Sequence, residues 1–465
     1  MDIWEKKEFK LNKILLAYLI ASPFISGYLY FMQFELAGIV FTIFRIGIVI
    51  CFLIGTWQLF SLRQNLGDVC GKGTFSLGMW FVIILGIGSS HAVIQGFLPG
   101  GFSEMAAIAE SLLFFICLFI FIKRDRNMWI FTVDAFKYTG IAVALISYFE
   151  MFYGFKMPSS RFNEIIYCKS VSFHPATSIF VNENNLAAFL LIVCSVLIWQ
   201  MLHETNGKKY IIKCIQLIIV IIPAVISDST IFKLGIILIT VMGCMLLTKD
   251  EPISKGVLGR CALQVSLPVL TCYVFKRLLR IGCINVSLKL MNQYSLLSNE
   301  ALRKLIQGDS LMGQLQNTGM GTVTMRKNLF IYGLDAGKTH PLFGNGANSF
   351  FNIFEHNKHY LEKTGGMTNP HNFLVEIFVQ YGGIAVGIFL AICLITFVII
   401  LRRVLSQKRS INFKSDTGFI MMMLIAFAIT TIMPSGFFKC VVYFVPLFLA
   451  VIGIDLDKEK LQDRI

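Results

Sequence analysis

The fold class this sequence predicts is an all-α polytopic membrane protein, with about twelve transmembrane helices and one large extracytoplasmic loop between the ninth and tenth. Three observations predict it. The 465 residues are 56% hydrophobic and only 15% charged, too apolar for the two or three soluble domains that this length would otherwise suggest. Apolar runs of roughly 20 residues, the length that crosses a bilayer core, recur along the chain. Lys and Arg gather in alternate connections, the pattern that sets membrane topology.

Composition also narrows the function classes. A net charge of +14 could serve nucleic acid, but its concentration in alternate loops makes topology the better account, and no nucleic-acid partner is expected. Most of the 12 Cys lie inside apolar runs, as Cys51, Cys117, Cys194, Cys214, Cys244 and Cys393 do, where a thiol packs as a small hydrophobe. No C-x-x-C spacing occurs, so neither a metal site nor a cofactor is expected.

Taken in order, the spans fall near 14–32, 36–59, 75–97, 103–122, 128–152, 185–202, 211–227, 231–248, 257–275, 372–400, 417–433 and 440–455. The first is too long for a cleaved leader and lacks a small-residue cleavage site, so it is expected to remain as an anchor. One set of loops carries Lys6, Lys7, Lys10 and Lys13, then Arg63 and Lys72, Lys123, Arg124 and Arg126, Lys208 and Lys209, and Lys249, Lys255 and Arg260. The loop from Arg402 to Lys414 and the C-terminal tail complete it. Loops around Glu35, Pro99 and Pro434 carry almost no positive charge. Both termini are therefore expected in the cytoplasm of a multi-pass cell-membrane protein, with 154–183 and 276–371 outside. The chain divides into an N-terminal bundle of about nine spans (1–275), the large external loop (276–371), and a C-terminal bundle of about three spans with a cytoplasmic tail (372–465).

The large loop is too long to be an idle connection. From Lys276 to Ile306 it alternates Leu and Ile with Lys and Arg, as an amphipathic helix lying on a membrane surface does. A Gly-rich link covers 307–321. A helix through Arg326 to Leu334 follows, and then the turn Pro341-Leu342-Phe343-Gly344-Asn345-Gly346. No internal repeat suggests the inverted halves of a transporter.

Ionisable residues within spans are costly, so each one needs a role or a partner. Arg45 reads as mid-span with no neighbouring acid, either functional or paired with a distant Glu. Asp134 and Lys137, three apart on one helical face, read as a local ion pair. Glu104 reads as a solvated edge residue, and His91 as a satisfied polar contact. Lys233 either neutralises Asp228 or points at an anionic substrate. Around residues 322–387 a lone Arg, a Gly-containing turn and the His371-Asn372 pair meet at a membrane edge. A His there suits proton transfer and an Arg suits anion holding. A structured loop that merely caps the bundle is the plainer alternative.

Three segments resemble the O-antigen polymerase and ligase superfamily. His174-Pro175-Ala176-Thr177-Ser178-Ile179-Phe180-Val181-Asn182-Glu183-Asn184-Asn185-Leu186-Ala187 is similar to the family's R-A-T-G-x-F-x-N-P-N-D-L-A, with Pro175 at the Arg position and Glu183 at the Pro. Ser229-Thr230 is similar to S-R-[GT]-A without its Arg, Lys233 being the nearest cation. Arg326, the 341–346 turn and Phe350 match R…P-L-x-G-x-G…F. Residues 371–384 match H-N-x-x-L-E-x-x-x-x-x-G, with Ala385 in place of the second Gly. Val386-Gly387 stands where the ligase branch has a Thr pair, which favours a polymerase.

The resemblance implies a metal-independent membrane glycosyltransferase of the C type (GT-C-like). It would polymerise O-antigen, capsule or exopolysaccharide repeat units, moving oligosaccharide from polyprenyl (undecaprenyl) diphosphate to a sugar hydroxyl at the outer face. His371 would be the catalytic base. Arg326, Lys338, Lys233, Arg161, Arg45, Asn184 and Asn372 are the candidate substrate and diphosphate contacts, with helix capping the plainer role for Asn372. Partners would be the lipid-linked oligosaccharide, the bilayer, and a flippase and chain-length regulator of the assembly system. The alternatives are ligase-type transfer to another acceptor, a lipid-linked oligosaccharide flippase or transporter, and a non-catalytic scaffold.

Overall fold

The apolar runs fold as helices in a computed structural model that describes residues 3–36, 39–61, 70–122, 125–153, 176–226, 229–250, 256–271, 273–274, 322–406, 416–434 and 436–462. The proposed amphipathic segment, Arg161 and Asp228 lie outside the described residues. Helix α1 (Ile3–Tyr28) begins upstream of the expected span, and α2 (Ile43–Ser61) begins well after residue 36. A hairpin takes the residues between them: β1 (Phe34–Leu36) runs antiparallel to β2 (Ile39–Phe41). Phe34 stands opposite Phe41 with the rings stacked 5.2 Å apart, the kind of cross-strand pair that stabilises a short ribbon.

Then come α3 (Lys72–Gln95), α4 (Gly101–Ile122), α5 (Arg126–Tyr153), α6 (Glu183–Leu202), α7 (Gly207–Ile226), α8 (Thr230–Asp250) and α9 (Gly256–Thr271). Three helices outside the spans follow: α10 (Thr322–Gly337), α11 (Ser349–His356) and α12 (Lys358–Lys363). The chain closes with α13 (Phe373–Ser406), α14 (Asp416–Thr430) and α15 (Val445–Gln462). Among the described residues nine helices are long and apolar enough to cross a membrane, and α9, α14 and α15 are shorter apolar helices. The molecule is an all-α polytopic membrane protein with one small hairpin. The last span starts later than expected because 437–443 forms two short 3-10 turns.

Helix α6 is the axis of the bundle. Its sequence is apolar on every side, and 94% of its apolar window is buried, enclosed by α5, α7, α8 and α14. Asn182 starts it, its side chain accepting from Asn185 N at 3.0 Å. Helix α13 is the opposite case, with only 28% of its window buried and Leu394 and Ile395 turned outward to where lipid would lie. Helix α3 lacks a side-chain cap of its own. Asp455 of α15 supplies one, accepting from Thr74 N at 2.9 Å, Thr74 Oγ1 at 2.8 Å and Gly73 N at 3.3 Å.

Helices α10 to α12 sit over one end of the bundle and share a small core with α13. Leu329, Ala336, Phe350 and Phe354 of the cap pack on Val375 and Val379. Each fully buried ring there is worth about 1.5–3 kcal/mol. Gly333 and Gly337 permit the close approach, since a Cβ would stand 2.6 Å from Val375 Cγ1 at the first and 2.3 Å from the Phe378 ring at the second.

Candidate active site

The capped mouth is shaped by a break in α13. Gly382 leaves the helix at φ 79°, ψ 178°, so what reads as one continuous span consists of two helical pieces. The Pro341–Gly346 turn fills the break. Gly383 N donates to Pro341 O at 2.7 Å and Ile384 N to Leu342 O, while Asn345 N and Gly346 N donate to Val379 O and Gln380 O at 2.9 Å each. Amides and carbonyls exposed by the break are thereby paired, as non-helical backbone at membrane depth requires. Two glycines permit the contact: a Cβ at Gly344 would lie 2.4 Å from Gln380 backbone, and one at Gly382 would lie 2.2 Å from Leu342 O. His91 supports the turn from α3, its Nε2 3.2 Å from Phe343 O. That fits its reading as a satisfied polar contact.

His371 stands at the lip of the mouth, half-buried and in the left-handed conformation at φ 47°. Asn372 is the N-cap of α13, accepting from Val375 N at 3.1 Å, so the capping role is the one its geometry supports. Phe373 N donates to Thr431 O at 2.9 Å and His371 Nδ1 lies 3.4 Å from Met433 O, tying the pair to the 431–444 connection. A carbonyl can only accept, so any hydrogen bond in that contact is donated by Nδ1.

The Asn motif borders the same mouth. Thr177 N and Ser178 N donate to the Glu150 carboxylate at 2.7 and 2.9 Å, and Tyr28 hydrogen-bonds Ser178 Oγ. Ser178 has φ 53° at the position where the superfamily pattern carries Gly. Tyr443 Oη donates to Asn185 O at 3.2 Å, which joins the start of α6 to the loop that holds His371. Asn184 is half-buried in the first turn of α6. Arg326 of α10 is half-buried within electrostatic reach of Glu183. Burial lowers its pKa from the ordinary value and Glu183 opposes the shift; a guanidinium stays charged throughout the physiological range regardless.

Beneath the lip lies a layer of buried polar groups. Tyr381 Oη donates to Glu104 Oε1 at 2.7 Å, Phe437 N donates to Glu376 Oε2 at 3.1 Å, and Asn348 N donates to Gln380 Oε1 at 2.7 Å. Lys439, exposed above them, is within electrostatic reach of both carboxylates. Glu104 is therefore not a solvated edge residue: α13 and the cap close over it. Lys439 was not singled out from sequence, whereas Glu104 was considered there and read as an edge residue. The signal for Lys439 was present, as a lone Lys in an outer loop that is otherwise free of positive charge.

The remaining candidates scatter. Arg45 is not mid-span but in the first turn of α2, its Nε 2.5 Å from Glu110 and its Nη1 2.6 Å from Val40 O. That is the distant-Glu alternative. Lys233 lies half-buried in the first turn of α8 at the mouth end of the bundle. Lys338 is exposed beyond α10, 3.3 Å from Asp335 Oδ1. Asp335 also accepts from Tyr360 Oη at 3.0 Å, and these two partners hold its pKa below the ordinary value, Tyr360 first. Asp134 and Lys137 do pair locally, 2.8 Å apart. No group of three His, Cys, Asp or Glu poised for a metal occurs among the described residues.

Fold and site together define a multi-pass membrane protein in which the Arg326 guanidinium lies within electrostatic reach of Glu183 at the start of α6, and His371 lies against Met433 in the connection that α6 also contacts. Residues 179–390 match the O-antigen ligase family model, which bears out the resemblance to the O-antigen ligase and polymerase superfamily. The matched region runs from the Asn motif to beyond the α13 break and includes Asn184, Lys233, Arg326, Lys338, His371 and Asn372; Arg45 and Arg161 fall outside it. The match supports a ligase- or polymerase-type function in general. No curated protein matches the chain.

Proposed function

We propose that this protein polymerises polysaccharide repeat units at the outer face of the cytoplasmic membrane, transferring oligosaccharide from polyprenyl diphosphate to a sugar hydroxyl. The observation that supports the reading is a series of contacts among three separated segments: Arg326 lies within electrostatic reach of Glu183, Tyr443 bonds to Asn185 O, and His371 lies against Met433 of the connection that carries Tyr443. His371 Nε2 takes the proton of the attacking hydroxyl as the new bond to the anomeric carbon forms. The bond from that carbon to the diphosphate oxygen breaks, and the lipid diphosphate leaves. Negative charge grows on the leaving group and is met by Arg326, with Lys233, Lys439 and Lys338 as further cations of this face and Arg161 as a candidate outside the described residues. Cationic side chains meet that demand without a metal ion, and diphosphate departs without a general acid.

Ligase-type transfer to another acceptor is the second reading, favoured by the description of the matched family, whereas Val386-Gly387 favours the polymerase. Cell-surface polysaccharide from a deletion strain separates them on a gel. A single repeat unit left on lipid supports the polymerase, and long chains left on carrier lipid support the ligase. Absence of any exported repeat would replace both with a flippase. Orientation is tested separately by an impermeant thiol reagent in a background lacking native Cys. It should modify Lys338→Cys and spare Lys208→Cys, and the reverse pattern would move the site to the cytoplasmic face.

A further inference from the structure

Helix α13 carries a single acidic residue, Glu376, in its first turn. The residue is only 2% exposed. An ionisable group buried in a membrane helix is costly and calls for a role. Its Oε2 accepts from Phe437 N at 3.1 Å, in the connection between α14 and α15. Two other contacts tie that connection to the start of α13: Phe373 N donates to Thr431 O at 2.9 Å, and His371 Nδ1 lies 3.4 Å from Met433 O. Thr431, Met433 and Phe437 thus meet Phe373, His371 and Glu376 in turn. The Phe437 ring packs against that of Phe373, their centroids 4.4 Å apart.

Between Met433 and Phe437 the chain turns at Gly436, which has φ 73°. Such a turn is fixed only when it is held on both sides. Thr431 is the hold before it, and the Glu376 carboxylate is the hold after it. Beyond that second hold, Lys439 N donates to Gly436 O at 3.3 Å, so the same short turn also places Lys439, which is exposed and within electrostatic reach of Glu376. We propose that Glu376 is a positioning residue: by holding Phe437 it keeps Met433 O against the His371 imidazole and sets where Lys439 stands. The consequence for polymer rests on the reading of His371 as the base; the placement of His371 does not.

Two variants of similar size test it. Glu376→Gln keeps an acceptor oxygen for Phe437 N and loses the charge, whereas Glu376→Leu keeps the packing and loses the acceptor. The readout is the rate at which diethyl pyrocarbonate modifies His371 in the full-length protein in nanodiscs, followed by mass spectrometry of the His371 peptide. Glu376→Leu should raise that rate severalfold, and Glu376→Gln should match wild type. Polymer in cells should fall about 10²-fold in Glu376→Leu, the cost of a small misplacement, and hold in Glu376→Gln. An unchanged His371 rate in a folded Glu376→Leu protein overturns the proposal. Loss of polymer in a well-expressed Glu376→Gln protein overturns it too, since the charge would then matter rather than the acceptor. A raised rate with polymer intact would support the positioning role and remove His371 from the reaction instead. Should Glu376→Leu fail to fold, hydrogen exchange of wild type and Glu376→Gln decides: the Phe437 amide should exchange slowly in both, and fast exchange in either overturns the proposal.

Discussion

At the capped mouth the Pro341–Gly346 turn is bonded backbone to backbone into the break of α13, whereas at the far end Asp134, Lys137, Gln200, Glu204 and Lys213 are bonded side chain to side chain. Backbone pairing across glycines leaves little freedom. It fixes the frame from which His371 and Arg326 project, as a reaction that depends on near-attack geometry requires. Long side chains on separate helices can exchange partners at little cost. The first arrangement suits a site that carries out a defined transfer; the second leaves the far end adjustable.

The sharpest way to break this contrast is at the lip. His371→Ala and His371→Gln should each remove polymer from a well-expressed protein, a loss of about 10²–10⁴-fold, because neither residue accepts a proton at neutral pH. Normal chain length from His371→Gln would leave the His only a positioning role, and normal chains from His371→Ala would favour a scaffold. Arg326→Ala should cost about 10²–10³-fold, as loss of one preorganised contact to developing charge does. Arg326→Lys should retain part of the activity because Lys lacks the planar fork. An unimpaired Arg326→Ala protein would shift the diphosphate to Lys439, Lys233 or Arg161.

Gly382→Ala tests the frame itself. The left-handed backbone alone costs about 1–2 kcal/mol with a Cβ, and the contact with Leu342 O adds to it, so the thermal midpoint and chain length should fall together. At the far end the two should separate. Asp134→Asn removes the charge partner of the buried Lys137 and should cost about 1–3 kcal/mol of stability with chain length unchanged. A collapse of polymer length in that variant would show that the two ends are coupled. The smallest effect is on pH. The hydrogen bond from Lys213 holds Glu204 below its ordinary value of 4.5. Its contribution is therefore complete above that value and is lost as pH falls through the lower folded one. Glu204→Gln should flatten the acid limb of the stability curve.

The span pattern could be read directly from apolar length and loop charge, and Asp134 with Lys137 from helical spacing, because both signals are local. Asn372 as a cap was equally local, three residues from the amide it holds. The break in α13 was hidden: Gly382-Gly383 in an apolar run reads as ordinary membrane helix, and the turn that occupies it lies some forty residues upstream. Glu104 was misplaced for the same reason, its partner Tyr381 being 277 residues away. Arg45 needed Glu110 from the next helix but one. The hairpin was lost in apolar sequence that was assigned to a span. The placement of Arg326 near Glu183 and of His371 against Met433 depends on how the helices cross, which no single stretch records.

The cap that Asp455 places on α3 joins residues 381 apart. The ribosome makes the start of α3 long before the carboxylate of α15 that completes it. Until α15 is in place, the amides of Gly73 and Thr74 await that acceptor. Docking of α15 is thus the step that locks the start of α3 into the bundle.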